Sequence, residues 1–196
     1  LILERLKQET SELHLATEAA MPFNNNGFDL AAYRLLLLRT YGFFATWENA
    51  ASQVADPASR SLLRDRSRLN AIQKDLRFFQ QPPVVELLPL DRLPDFSRVE
   101  NLLGSMYVTE GSTLGGQLIA RLLETRLELA HGNGYSFFVG AGPSTGSRWK
   151  SFCQFLIEWS SAHRDKEDAM ICAARMTFEA YRCWVGNTVQ QGAVPL

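Results

Sequence analysis

The chain has 196 residues, about the length of one domain, with 46% hydrophobic and 21% charged residues, 13 Gly and 8 Pro. That composition supports a buried core and excludes a disordered or low-complexity polymer. Twenty Lys and Arg against 21 Asp and Glu leave a net charge of −1, without the basic excess that neutralises a phosphate backbone, so no nucleic-acid partner is expected.

The first ten residues carry Glu4, Arg5, Lys7 and Glu9, which is not the pattern of a secretory leader. Leu6 to Glu18 reads as part of the first helix. Asp29 is placed to cap a long second helix in which Tyr33, Leu37, Tyr41, Phe44, Trp47 and Ala51 recur every three or four residues. Arg34, Arg39 and Glu48 cut its apolar runs well short of the ~20 residues that cross a bilayer, so no membrane span is expected. Leu62 to Phe79 has a helical period with a break, and the stretch from Gln81-Pro82-Pro83 to Pro94 holds four of the eight prolines, which predicts an extended connection. Val99 to Leu129 is apolar and helical in period yet contains Gly104, Gly111, Gly115 and Gly116. A Gly-rich loop is expected from His131 to Ser147, around Phe137-Phe138. Phe152, Leu156 and Trp159 mark one further helix, and Met170, Ala174, Phe178, Tyr181 and Val185 another, with Gly186 as its stop. The expected architecture is all-α, a single domain over residues 1–196 without internal repeats.

Three cysteines, Cys153, Cys172 and Cys183, are odd in number and far apart with no CxxC pair. They suggest neither a disulfide framework nor a zinc site, and a reducing cytoplasm is the expected compartment. Each falls on an apolar helical face, which predicts core packing and not a nucleophile.

Two groupings carry potential chemistry. At ~100° per residue, Lys7, His14 and Glu18 share one face of a single helix, with Lys7 ~10.5 Å from His14 along the axis. Spacing alone leaves two readings: a solvated helix face with one structural histidine, or metal ligation by a neutral imidazole that the i+4 carboxylate orients. The second grouping is Tyr107-Val108-Thr109-Glu110-Gly111-Ser112-Thr113-Leu114-Gly115-Gly116-Gln117. Three glycines inside a helix would cost on the order of 3 kcal/mol relative to alanine. Either close packing of small residues at Gly111 and Gly115 or the close approach of a flat ligand offsets that cost. Glu128-Leu129-Ala130-His131 is a single Glu-x-x-His, short of the pair that a di-iron bundle needs. Phosphate-loop, dinucleotide and nucleophile-elbow motifs are absent.

Taken together, Leu6-Lys7-x-x-Thr10-x-x-x-His14-x-x-x-Glu18 and Glu110-Gly111-Ser112-x-x-Gly115-Gly116-Gln117 resemble the proximal and distal helices of the heme oxygenase family. The pattern is nearest to the bacterial biliverdin-producing branch associated with bacteriophytochromes. Tyr33 to Glu48, Lys74-Asp75-Leu76, Phe137-Phe138 and Arg148-Trp149-Lys150 extend the resemblance over most of the chain.

The resemblance implies a heme-oxygenase-like helical bundle with heme, both substrate and cofactor, between those two helices. His14 would ligate the iron, with Glu18 beside it. Lys7 and Lys150, with Arg148, would be cations near the propionates. Gly111, Gly115 and Gly116 would form a kinked distal helix against the open heme face, with Ser112, Gly111 and Gly115 as the catalytic set. Thr17, Tyr107 and Phe178 would complete the pocket. Ser112 stands where many members place an aspartate that holds a water network, and Gln154 falls near a position where others carry a second propionate-binding arginine. The implied reaction is O2-dependent cleavage of heme to biliverdin, carbon monoxide and ferrous iron. Electrons would come from an external ferredoxin or reductase, because the chain shows no flavin, nicotinamide or iron–sulfur motif. A biliverdin-accepting photoreceptor is the further partner that the branch implies. Two alternatives stay open: a non-catalytic heme sensor or carrier using the same pocket, and a helical hydrolase or metal protein in which His14 is structural.

Overall fold

The N-terminal segment folds as two helices joined at a kink. The computed structural model describes residues 1–54, 56–64, 66–80, 86–130 and 133–186. Helix α1 spans Ile2–Glu9 and α2 spans Ser11–Ala20, with buried Thr10 between them at φ −112° and ψ 0°. Side chains take the carbonyls at this joint: Thr10 Oγ1 donates to Leu6 at 2.7 Å, Ser11 Oγ to Gln8 at 2.8 Å and the Arg175 guanidinium to Glu9 at 2.6 Å. Such bonds compete with the helical ladder and bend it. The expectation of one helix through Leu6, His14 and Glu18 is therefore corrected, since Lys7 belongs to α1 while His14 and Glu18 belong to α2.

Helix α3, Leu30–Ser52, starts as read from the sequence, with the Asp29 carboxylate accepting from the Ala32 amide at 2.8 Å. The break expected within Leu62 to Phe79 falls between α4, Pro57–Leu63, and α5, Leu69–Phe78. Gln81-Pro82-Pro83 lies outside the described residues, and the part of the connection that follows makes one tight turn, Leu90–Arg92. The apolar stretch from Val99 to Leu129 is split into α6, Val99–Gly111, and α7, Gly116–Leu127. Where a loop is expected after His131, itself outside the described residues, a short helix α8 forms at Ser136–Val139. The fully buried Asp75 carboxylate builds it by accepting from the Ser136 and Phe137 amides at 2.7 and 2.8 Å. Helices α9, Thr145–Ala162, and α10, Glu167–Gly186, are the last elements of the described residues.

The described residues form no strand, so the all-α expectation holds. None of their helices is long and apolar enough to cross a membrane. Helix α10 is the central element and packs on α6, α2, α3 and α1. Its buried face runs through Met170, Ala173, Ala174, Thr177 and Phe178. Cys172 and Cys183 lie on the exposed face with Arg175 and Met176, and Cys153 is half-buried, which corrects their expected core role.

Contact between α6 and α10 is made by backbone. A Cβ built on Gly104 would lie 1.9 Å from the Met170 carbonyl oxygen. Alongside, Trp47 Nε1 donates to Ser105 Oγ at 2.8 Å and Thr177 Oγ1 lies 2.7 Å from the same hydroxyl. This buried chain ties α3, α6 and α10 with its polar atoms satisfied. Gly104→Ala is expected to cost about 3 kcal/mol through forced separation of the two helices, read by urea unfolding. Gly146→Ala, where a Cβ meets nothing within 4 Å in the first turn of α9, is the matched control and should be neutral or mildly stabilising.

Candidate functional site

At the distal corner, α6 ends at Gly111, residues 112–115 form a turn, and α7 begins at Gly116. The three glycines thus sit at helix ends, where glycine costs a few tenths of a kcal/mol instead of ~1 kcal/mol each. The expected interior penalty does not arise. Their surroundings also differ from one another. A Cβ on Gly116 would strike the Phe138 carbonyl oxygen at 2.3 Å, one on Gly111 would sit 3.5 Å from the Trp149 ring, and one on Gly115 would meet nothing within 4 Å. Gly116 is therefore required by packing against α8, whereas Gly115 faces open space. Small-residue packing between Gly111 and Gly115 does not occur. In the turn, the exposed Ser112 donates its hydroxyl proton to the Thr109 carbonyl at 2.8 Å, and Thr113 donates to Glu110 at 2.6 Å.

On the proximal side, the His14 side chain is 56% exposed, with Nε2 3.7 Å from Glu18 Oε1. Its ring meets buried Phe178 of α10 edge-on, with centroids 5.8 Å apart and planes at 90°. Thr17 is half-buried and donates to the Leu13 carbonyl at 2.7 Å. Tyr107 of α6 packs its ring on Trp149 of α9 at 5.6 Å, and burial pushes its phenol up from the ordinary range. The structure brings together His14, Glu18 and Phe178 in one cluster and Tyr107, Gly111 and Trp149 in another. Helices α2 and α6, which carry the two clusters, both pack on α10. Lys7 on α1 and Lys150 on α9 are exposed and form no ion pair among the described residues. Gln154 is exposed and donates to Glu158 at 2.7 Å.

Sequence reasoning missed the charges behind the distal turn. Glu110 pairs with Arg66, and both side chains are about nine-tenths buried, at 11% and 10% exposure. Arg68 donates to the carbonyls of Thr109 and Phe137 at 3.3 and 3.2 Å and stacks 4.1 Å over the Phe137 ring. Burial lowers its pKa to about 10, against the opposing pull of Glu110 and Glu48. The Glu48 carboxylate holds the Arg68 and Leu69 amides at 2.6 and 3.1 Å and the Ser67 hydroxyl at 2.7 Å. The signal in the sequence was the run Arg64, Arg66, Arg68, too densely basic for an ordinary helix connection.

The heme oxygenase family model matches residues 2–187. The chain belongs to the heme oxygenase family. Among curated relatives, a heme oxygenase of Takifugu rubripes is 24% identical over 193 residues, covering 90% of this chain and 70% of the relative. One from Xanthomonas campestris pv. campestris (strain 8004) is 30% identical over 138 residues, covering 70% and 81%. In fold, the chain is similar to the heme oxygenase of Leptospira interrogans, with TM-score 0.73, 20% identity and coverage of 95% and 98%. It is likewise similar to the NO- and CO-bound heme oxygenase of Neisseria meningitidis, with TM-score 0.68, 19% identity and coverage of 99% and 98%. The fold and the enzyme class read from the two motifs hold, and heme cleavage is the activity of this heme oxygenase at the level of its family.

Removing one partner of a buried ion pair strands the other charge. Arg66→Gln is expected to cost about 3–5 kcal/mol in denaturant unfolding. The double variant Arg66→Leu with Glu110→Leu should recover only part of that loss, because the stranded carboxylate is gone but buried Arg68 loses the opposing charge of Glu110.

Proposed function

We propose that heme lies between α2 and the α6–α7 corner with His14 as its iron ligand, and that the chain cleaves it with O2 to biliverdin, carbon monoxide and ferrous iron. The observation that carries this reading is the setting of His14: an accessible imidazole fixed edge-on by Phe178, with the Glu18 carboxylate facing one ring nitrogen. A ring between Phe178 and Glu18 keeps a nitrogen accessible to a metal, and closing the 3.7 Å gap to Glu18 would set its orientation.

Bound heme supplies the iron that activates dioxygen and the macrocycle that is cut. The chain supplies the rest. Lys7 and Lys150 are cations available to propionate carboxylates. Gly111 and Gly115 leave the distal face without side chains, and Gly116 contributes only backbone there. Thr17, Tyr107 and Phe178 give the slot its walls, and the exposed Leu15, Leu114 and Leu118 on the same elements supply apolar area for a flat plate to cover. Because the Ser112 proton is committed to the Thr109 carbonyl, its lone pairs remain to accept a hydrogen bond from a water near the reacting face. In this reading Ser112, Gly111 and Gly115 act by room and water order.

The Glu110-Gly111-Ser112 and Leu114-Gly115-Gly116 sequences support membership of the bacterial, bacteriophytochrome-associated branch, with a separate ferredoxin or reductase as electron donor and a photoreceptor as biliverdin acceptor. The free thiols of Cys153, Cys172 and Cys183 support a cytoplasmic setting. Residues 1–196 are read as one domain.

His14→Ala should remove the axial-histidine signature from the absorption and resonance Raman spectra of the heme complex, while His163→Ala, whose ring stacks on Trp159 at 4.3 Å, should leave it unchanged. The opposite pattern would refute the ligand assignment. Gly115→Leu should still fold, since no atom lies within 4 Å of its Cβ and its φ is −78°, with a loss of about 1 kcal/mol in apo stability because leucine is a poorer N-cap than glycine. It should keep the histidine signature and lose heme-to-biliverdin conversion under a supplied reductant. Full turnover in that variant would overturn the distal-face assignment. Wild-type binding without any conversion would favour the carrier alternative.

A further inference from the structure

Behind the distal turn, on the side facing the Arg66–Arg68 segment and the start of α9, lies a cavity of about 110 Å³. Arg66, Arg68 and Glu110 line it, with Arg148 at its border. The Glu110 carboxylate is already engaged by Arg66. Arg68 forms no ion pair with a described carboxylate: each Nη gives one of its two protons to a carbonyl, and its Nε is buried without a partner. Thr145, only 6% exposed, also lines the cavity with Oγ1 buried and unpartnered. It is the first residue of the 18-residue α9, whose N-terminus has no side-chain cap. A buried guanidinium with an idle Nε, an idle buried hydroxyl and the positive end of a helix dipole converge on one small space. Its volume exceeds the ~30 Å³ share of a water several-fold.

We propose that this cavity binds a small oxyanion, of the phosphate or bicarbonate class, between Arg68 and Thr145. Guanidinium groups match the geometry of such anions, and the threonine hydroxyl donates to one of their oxygens. The cavity lining includes none of His14, Thr17, Glu18, Tyr107 or Phe178, and only Arg148 is shared with the residues that the resemblance sets around heme, so anion binding there does not require heme. Glu110 and Thr113, which border the cavity, flank Gly111 and Ser112, so occupancy bears directly on how firmly the distal turn is held against α9.

Titration of the heme-free full chain with inorganic phosphate, and separately with bicarbonate, at fixed ionic strength and pH tests this by calorimetry and by thermal melting. At least one of the two should bind at a single saturable site with a matching rise in melting temperature, and chloride at equal ionic strength should not reproduce it. Thr145→Val removes only an unpartnered hydroxyl, so it should fold with equal or higher stability in anion-free buffer and bind the anion at least five-fold more weakly. Arg68→Lys provides a second variant, in which the loss of the fork should weaken binding at least as much. No saturable binding of either anion, an equal response to chloride, or unchanged affinity in Thr145→Val would overturn the proposal.

Discussion

The close approach of α6 and α10 at Gly104 is the constraint on which the rest depends. With no side chain at that position, the α6 backbone comes against the Met170 carbonyl, and the small Ala173 keeps the contact tight along α10. Helix α10 then carries Phe178 to the His14 ring, while α6 delivers Gly111 and the distal turn from its other end. Separation of these two helices would displace both clusters together. The Trp47–Ser105–Thr177 chain beside the contact fixes rotation as well as distance, because hydrogen bonds are directional where apolar packing is not.

The distal corner is held mainly by charges buried against backbone. Asp75 takes the two amides that open α8, Glu48 takes those of Arg68 and Leu69, and Arg68 returns donors to Thr109 and Phe137. Each ion satisfies main-chain groups that irregular segments would otherwise leave unpaired. Burial works against the Asp75 carboxylate and raises its pKa, and the two amides pull the other way. This arrangement gives a loop-rich corner the rigidity that helices elsewhere obtain from packing.

Much of the fold was legible because it rests on local rules. The Asp29 cap and the three-to-four residue recurrence from Tyr33 to Ala51 define α3 without tertiary help, and the i,i+4 relation of His14 and Glu18 survives because both lie on α2. What was not legible depends on distant partners. The kink at Thr10 is completed by Arg175, 166 positions from the carbonyl it binds, and α8 needs Asp75, 61 positions from Ser136. The glycines were read as interior because apolar periodicity runs unbroken through Val99 to Leu129, whereas the turn at 112–115 is set by side-chain bonds from Ser112 and Thr113 to the preceding carbonyls. The run Arg64, Arg66, Arg68 marks the basic side of the distal corner, but the partner of Arg66, Glu110, lies 44 residues away and has no local signature.

The kink at Thr10 also divides the molecule into parts of unequal persistence. Helix α2 has ten residues, none of them fully buried, and helices of that length are marginal in water without tertiary support. Its amides should therefore exchange with solvent by local opening, well below the free energy that unfolds α6 and α10. The histidine thus rides on the least protected helix of the site. In the site proposed above, a broad rigid plate entering the slot, or a product leaving it, would need only this short segment to swing or fray while the core beneath stays intact.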